Sequence, residues 1–464
     1  MSLTALVYES LVELDDNYMP QPGLAEKWES SPDGSSWTFS LREGVVFHDG
    51  SLMTSADVVA TVNEILRLSA DEANANKGAY ATLKYFVSKI TATDERTVVI
   101  TTSRKNFGFL YAMTFPILPQ QYIQADNPPG SGPYVVEQFL PADYLWLSEN
   151  SFWWGGKPII SEISVLFHAT NRELISSYEY NRVDAVVTRS MTAAQYRSGI
   201  TSLNLSYRTK QLETLAMNHR SYELTDVKVR KAIRAALNLN GISENAYMGM
   251  AQRTDTPLPA GTWMYKADDE AFRQDTALAN QLLDEAGWKD SDGDGVRDMM
   301  KDGKLVKLSL RFYVYEEQEN SVRVNAANQI VSQLAAVGIE ARLSVMTYTE
   351  VLEKLEAGSF DLCMAGFNMD YTPDPGFLLI SGNTANYSRY KSSAMDKLFD
   401  ELRAALNQDA YRDKLYQIQD LFTQDCPFIC LYYRNGAILT RVMFTGTRDI
   451  REPNVLRGIE EKAE

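Results

Sequence analysis

The sequence predicts an α/β protein built from two packed units. Three observations lead there: the length, an alternation of helix and strand signals in the second half, and one dense breaker cluster in the first. At 464 residues the chain is about three times a typical domain. Apolar residues make up 45% and charged residues 23%, which is globular composition rather than disorder or fibre. Strands separated by helices point to a parallel or mixed sheet covered on its faces. Two such units joined by few crossings would leave a cleft, the usual place for a ligand.

In the first half, Ser31-Pro-Asp-Gly34 is a turn, and Trp37-Thr-Phe-Ser-Leu41 alternates apolar and polar residues with period two. Glu43-Gly44 turns into Val45-Val-Phe47, and His48-Asp49-Gly50 closes a hairpin-like unit. Thr54-Ser-Ala-Asp57 starts a helix with a capping-box-like pattern that continues through Val58, Val62 and Leu66. Thr97-Val-Val-Ile-Thr101 reads as a strand. Asn127-Pro-Pro-Gly-Ser-Gly-Pro133 is the breaker cluster, expected at a crossing between subdomains.

In the second half, Asp226 caps a helix with Val229, Ile233, Ala236 and Leu237 inward and Lys228, Arg230, Lys231 and Arg234 on the wet face. Leu278 to Ala286 is a second helix, stopped by Gly287. Leu308–Phe312 is a strand, 319–336 a helix, Ile339–Val345 a strand, Tyr348–Ala357 a helix and Phe360–Ala365 a strand. Helix dominates 394–422. No internal repeat or low-complexity segment is present. The 25 Tyr, 18 Phe and 7 Trp would suit a cleft, although most are expected in the core.

Several function classes recede. Lys plus Arg (45) minus Asp plus Glu (61) gives −16, with a pI near 4.9, which repels nucleic acid and anionic lipid. The longest apolar stretch, Phe107 to Pro119, is too short for a membrane span. Three cysteines exclude a disulfide scaffold. Cys426 and Cys430, if extended, lie roughly 13 Å apart, so buried thiols are expected rather than a bridge. Met1-Ser2-Leu3 reads as an added leader with no signal peptide behind it. His48, His168 and His219 are scattered, and no HExxH, GxSxG, Walker or GxGxxG string occurs. Asp290-Ser-Asp292-Gly-Asp294-Gly-Val-Arg-Asp298 begins like a calcium loop, but Lys301 stands where the twelfth-position glutamate belongs. A polar turn is expected there, and no metal site or cofactor.

Pro22-Gly-Leu-Ala-Glu-Lys-Trp28, Trp37-Thr-Phe-Ser-Leu-Arg42-Glu-Gly-Val-Val-Phe-His-Asp-Gly50 and Thr54-Ser-Ala-Asp-Val58 strongly resemble family 5 extracytoplasmic solute-binding proteins. These are the peptide- and nickel-type receptors of ABC importers. The resemblance continues through Gly130-Ser-Gly-Pro-Tyr134, Asn150-Ser-Phe-Trp-Trp154, Asp226-Val-Lys-Val-Arg230, Gly287-Trp288, Ala336-Val-Gly-Ile339, Phe360-Asp361 and Pro427–Tyr433. It implies a two-lobed, type II-like periplasmic-binding-protein fold with mixed sheets and an extra subdomain on the first lobe. Residues 1–24, 130–215 and 440–464 would form the first lobe, 25–129 the added subdomain, and 216–439 the second lobe. Family members carry a strand and a cleft-lining loop upstream of the Leu-Val-Tyr-Glu-Ser helix, which this sequence does not show. A disulfide of some relatives, at about Glu213 and Asn368, is missing too.

In peptide-binding relatives an aspartate after the Gly-aromatic turn pairs with the ligand's α-ammonium. The matching string is Gly366-Phe367-Asn368-Met369-Asp370-Tyr371. The resemblance gives Asp370 that role, puts Phe367 on the pocket wall, and adds Asn368 and Tyr371 to the ligand-binding set. Alternatively Asp370 caps the Tyr-Thr-Pro-Asp-Pro loop, with Asp374 as its competitor. Tyr80 is a further candidate from the added subdomain. Trp153 and Trp154 are expected to pack the first lobe, and His48 to be structural.

The expected function is non-enzymatic: capture of an oligopeptide and delivery to an ABC permease, by a monomer outside the cytoplasm, periplasmic or lipid-anchored. A metal chelate or sugar as ligand, a carboxylate-based glycoside-active enzyme, and a signalling receptor are the alternatives.

Overall fold

The computed structural model describes residues 3–70, 80–267, 273–317, 320–442, 450–456 and 458–460. The chain divides into two compact units. One comprises Met1–Arg208, Leu402–Tyr411 and Gly436–Glu464, the other Thr209–Glu401 and Arg412–Asn435. Among the described residues no helix is long and apolar enough to cross a membrane.

The first unit contains a four-stranded antiparallel sheet in the order Ala25–Ser30, Ser36–Leu41, Thr97–Thr102, Val87–Asp94. The period-two reading holds: Trp37, Phe39 and Leu41 are buried, and Trp37 and Phe39 face Ile100 and Val98 across the pair. The helix Ser55–Ala70 packs on this sheet. The Asp57 carboxylate accepts from the Thr54 backbone N–H at 2.8 Å and the Thr54 hydroxyl at 3.0 Å, the backward half of a capping box. Val45-Val-Phe47 forms no strand, only an isolated bridge of Val46 to Leu52. A three-stranded antiparallel sheet, Tyr134–Leu140, Tyr144–Glu149 and Glu162–Leu166, covers Leu6 and Val7 with Leu145 and Leu147.

The helix expected over Leu-Val-Tyr-Glu-Ser is a single turn, Thr4–Val7, ending at an extended Tyr8. Two residues beyond Val7, the buried Glu9 carboxylate turns inward. It accepts from Trp153 Nε1 at 3.0 Å, Trp154 Nε1 at 2.9 Å and Ser131 Oγ at 2.9 Å. Gly130 and Gly132 pack directly on the Val7 backbone, where a Cβ at either position would clash. His48 is structural: one ring nitrogen faces Gly132 O at 3.0 Å, the other accepts from Gly130 N–H at 3.3 Å, and burial lowers its pKa.

The second unit is the mixed part. Ser309–Tyr315 runs parallel to Glu340–Met346 and to Leu362–Asn368, and the latter pairs antiparallel with residues 211–217 of the strand Leu203–Met217. The helices Val322–Ala335 and Tyr348–Ala357 make the crossovers. Residue 319, the expected start of the first, lies outside the described residues. A full capping box between Thr347 and Glu350 fixes the start of Tyr348–Ala357. Asp226 caps Val227–Ala236 by accepting from Lys228 N–H. The 394–422 stretch is two helices, Ser393–Leu402 and Gln408–Asp425.

Two expectations are corrected here. Arg230 is buried, not on the wet face. Its guanidinium donates to the carbonyls of Leu224, Thr225, Asp425 and Cys426 at 2.7–3.0 Å, capping the end of the helix Gln408–Asp425. Cys426 is not extended but left-handed (φ 46), so only Cys430 sits in the strand Phe428–Thr440. All three cysteines are free and buried. Burial pushes the Cys363 thiol up to about 12.

Candidate functional site

The candidate residues gather around one strand end. Leu362-Cys-Met-Ala365 is an apolar run buried on both faces, as a strand flanked on each side by neighbours requires. At Gly366 the environment changes: Gly366 and Asn368 are exposed and Phe367 is half-buried. The strand therefore delivers its carboxyl end to solvent on the same side as that of its parallel neighbour Ser309–Tyr315, the side where ligands of open α/β sheets bind.

Phe367 belongs to an aromatic group. Its ring stacks on Tyr387 at 6.0 Å and meets Phe377 edge-on at 6.2 Å. Asp370, just beyond the strand, is exposed, and its Oδ1 accepts from Tyr371 N–H at 2.7 Å. Among the described residues it forms no ion pair with a basic side chain. Asp374 fills the capping role, accepting from Gly376 N–H at 2.9 Å. The Tyr371 ring lies 4.6 Å from the Lys210 ammonium. Phe367, Asn368, Asp370 and Tyr371 thus share one strand end. Tyr80 belongs to the other unit, 37% exposed, with its ring 6.3 Å from Phe115.

Behind this strand end lies a cluster that sequence reading missed. Glu213 and Arg323 are each 1% exposed. Arg323 Nη1 and Nη2 reach the two Glu213 oxygens at 2.6 and 2.7 Å, and Arg434 Nε reaches Glu213 Oε1 at 2.9 Å. Glu317 closes the set: Arg434 holds it bidentately at 2.7 and 3.0 Å, and Arg323 Nη2 approaches at 3.2 Å. Two carboxylates and two guanidiniums balance. Burial alone would raise the Glu317 pKa, but Arg434 and Arg323 bring it below the usual range. The Arg323 guanidinium also lies 4.0 Å over the Tyr315 ring, whose hydroxyl burial pushes up to about 12. One signal existed: Glu213 is a charge inside the apolar strand string Leu-Glu-Thr-Leu-Ala-Met, and a buried charge demands a partner.

The disulfide positions of relatives are not direct cross-strand partners here. Glu213 opposes Gly366, and Asn368 opposes Gln211. The histidines do not converge. His219 faces Pro427 O at 2.9 Å and His168 faces Ser177 Oγ at 3.0 Å. In the Asp290–Asp298 turn, the exposed carboxylates of Asp290, Asp292 and Asp294 lie within 4.8 Å of one another, with the Lys307 ammonium paired to the latter two.

The sequence pattern of the bacterial extracellular solute-binding proteins, family 5 Middle, matches residues 19–389. The chain belongs to this family. It is a family 5 solute-binding protein of the kind that serves ABC importers. It is 25% identical to the oligopeptide-binding protein AppA of Bacillus subtilis, over 93% of this chain and 81% of that one. Its fold matches NikA from Brucella suis in complex with Fe(III)-EDTA, with a TM-score of 0.80, 20% identity and coverage of 99% and 94% of the two chains. DppA from Helicobacter pylori in complex with the peptide STSA gives a TM-score of 0.68 at 21% identity, covering 99% and 92%. The family 5 fold, a mixed α/β two-lobed periplasmic-binding type, is therefore the fold of this chain.

Proposed function

We propose that this family 5 protein is a non-enzymatic capture component, working outside the cytoplasm, whose ligand is an oligopeptide with its α-ammonium on Asp370. The observation that carries the reading is Asp370 itself. It is an exposed carboxylate without an ion pair among the described residues, placed just past the carboxyl end of Leu362–Asn368, the strand that carries Phe367. An ammonium supplies the missing charge and three donors. Exposed Asn368 and the strand end offer main-chain and amide groups to an extended peptide, and aromatic surface accepts varied side chains. The name of AppA and the peptide held by DppA support the same ligand class.

In this reading the protein is a monomer, periplasmic or lipid-anchored, of the two-lobed kind that closes on its ligand by hinge motion and presents it to a permease. The test is calorimetry with a tripeptide in free-amine and N-acetylated forms. Asp370→Asn should weaken free-amine binding about ten- to a hundredfold, the worth of a hydrogen-bonded charge pair, and leave the acetylated form nearly unchanged. Equal affinity for both forms in the parent protein, or binding of a metal chelate and of no peptide, would overturn it.

A further inference from the structure

We infer that Glu213, Arg323, Arg434 and Glu317, together with Gly366, form the positioning base that sets the ligand-contacting strand end. The inference rests on the reading of Asp370 as the ammonium acceptor and extends it to residues that touch no ligand.

The geometry ties the cluster to the strand at one residue. Gly366 opposes Glu213 in the antiparallel pair. A Cβ at Gly366 would lie 3.2 Å from Arg323 Nη2 and 3.3 and 3.4 Å from the Glu213 oxygens. The Gly366 backbone is not left-handed, so only this close approach calls for glycine. The strand backbone therefore rests directly on the charge cluster, four residues before Asp370.

Two further contacts fix the same end. The Thr214 hydroxyl donates to Ala365 O at 2.9 Å, and Met369 N–H donates to Lys210 O at 2.9 Å. The strand is thus pinned at Ala365, Gly366 and Met369, and Asp370 is the next residue out. The cluster itself is rigid in a particular way. Each guanidinium meets both carboxylates, so neither arginine can shift without uncovering a buried charge. Glu213 and Arg434 also lie within the strands Leu203–Met217 and Phe428–Thr440. A site whose supporting residues are locked by packing and paired hydrogen bonds keeps the sub-ångström placement that an ion pair with a ligand needs.

A base of this kind and a merely stabilising cluster make different predictions for Gly366→Ala. Its added methyl must displace Arg323 or the strand by a few tenths of an ångström. The readout is the ratio of affinities for a free-amine tripeptide and its N-acetylated form, measured by calorimetry alongside thermal unfolding. Positioning predicts that the ratio falls about tenfold, because the ammonium contact alone depends on where Asp370 stands. A stabilising role predicts a lower melting temperature with the ratio of the parent protein intact, and that result overturns the inference. If Gly366→Ala does not fold, Glu317→Gln at the rim of the cluster carries the same expectation and the same overturning outcome. A parent protein with no preference for the free amine removes both this inference and the Asp370 reading. A preference that survives in the variants removes this inference alone.

Discussion

Glu9 and Glu213 are both nearly closed to water, at 6% and 1% exposure, yet they are held by different chemistry. Glu9, in the first unit, meets only neutral donors among the described residues: the indole N–H groups of Trp153 and Trp154 and the Ser131 hydroxyl. Burial pushes its carboxyl up to about 7 in spite of those bonds, and the charge of Glu13 adds to the rise. The Trp154 ring that donates to Glu9 also carries the Arg42 guanidinium 3.9 Å from its centroid. Glu213, in the second unit, meets two guanidiniums that stay charged at any ordinary pH. Neutral donors leave a buried acid free to take up a proton near neutrality. Permanent cations turn it into one corner of a fixed lattice of charge.

The comparison breaks most visibly at Glu213. Glu213→Ala leaves Arg323 buried with Glu317 alone, and the expected loss is about 3–5 kcal/mol. Urea unfolding at neutral pH measures it, and a loss below 1 kcal/mol, by about the net worth of one ordinary hydrogen bond, would show that the pairing is dispensable.

The Glu9 side is sharpened by pH. Its folded pKa lies above its unfolded value, so the stability it contributes is fully present below about pH 4 and is lost as pH rises through about 7. The loss over that window is about 3 kcal/mol from this group. Glu9→Gln should flatten that slope and match or exceed the parent protein at pH 8. Parallel stability curves for the two proteins from pH 4.5 to 8 would contradict the account of Glu9.

A smaller effect separates the donors. Ser131→Ala removes one hydrogen bond to the charged form, worth about 1–2 kcal/mol above the titration. It should move the pH midpoint of the Trp153 and Trp154 fluorescence upward, and an unmoved midpoint would mean that Ser131 does not hold the ionised group.

What could be read from the sequence divides along the range of the interactions. The Thr54–Asp57 and Asp226 helix starts, the period-two strand at Trp37–Leu41 and the helix Tyr348–Ala357 depend on neighbours within a few residues, and the structure bears them out. The string from Phe367 to Tyr371 came from family resemblance, and its members do share a strand end. Arg230 was misread because its helix face looks basic and wet. What buries it is a set of carbonyls at the end of another helix, Asp425 and Cys426, that no local pattern reveals. The cluster around Glu213 was invisible for the same reason. Glu213 stands out inside an apolar strand, but its partners Arg323 and Arg434 lie more than a hundred positions along the chain. Periodicity can show that a buried charge needs company without showing which residue supplies it.

The division of the chain between units also bears on its birth at the ribosome. Residues Ala185–Thr188 pair with Ala437–Thr440, so one strand of the first unit emerges long before its mate. At about 5–20 residues per second the wait is on the order of tens of seconds, while the whole second unit is made in between. Nascent chains of this protein would carry an uncovered strand edge throughout that interval, the condition under which a holding chaperone does the most good.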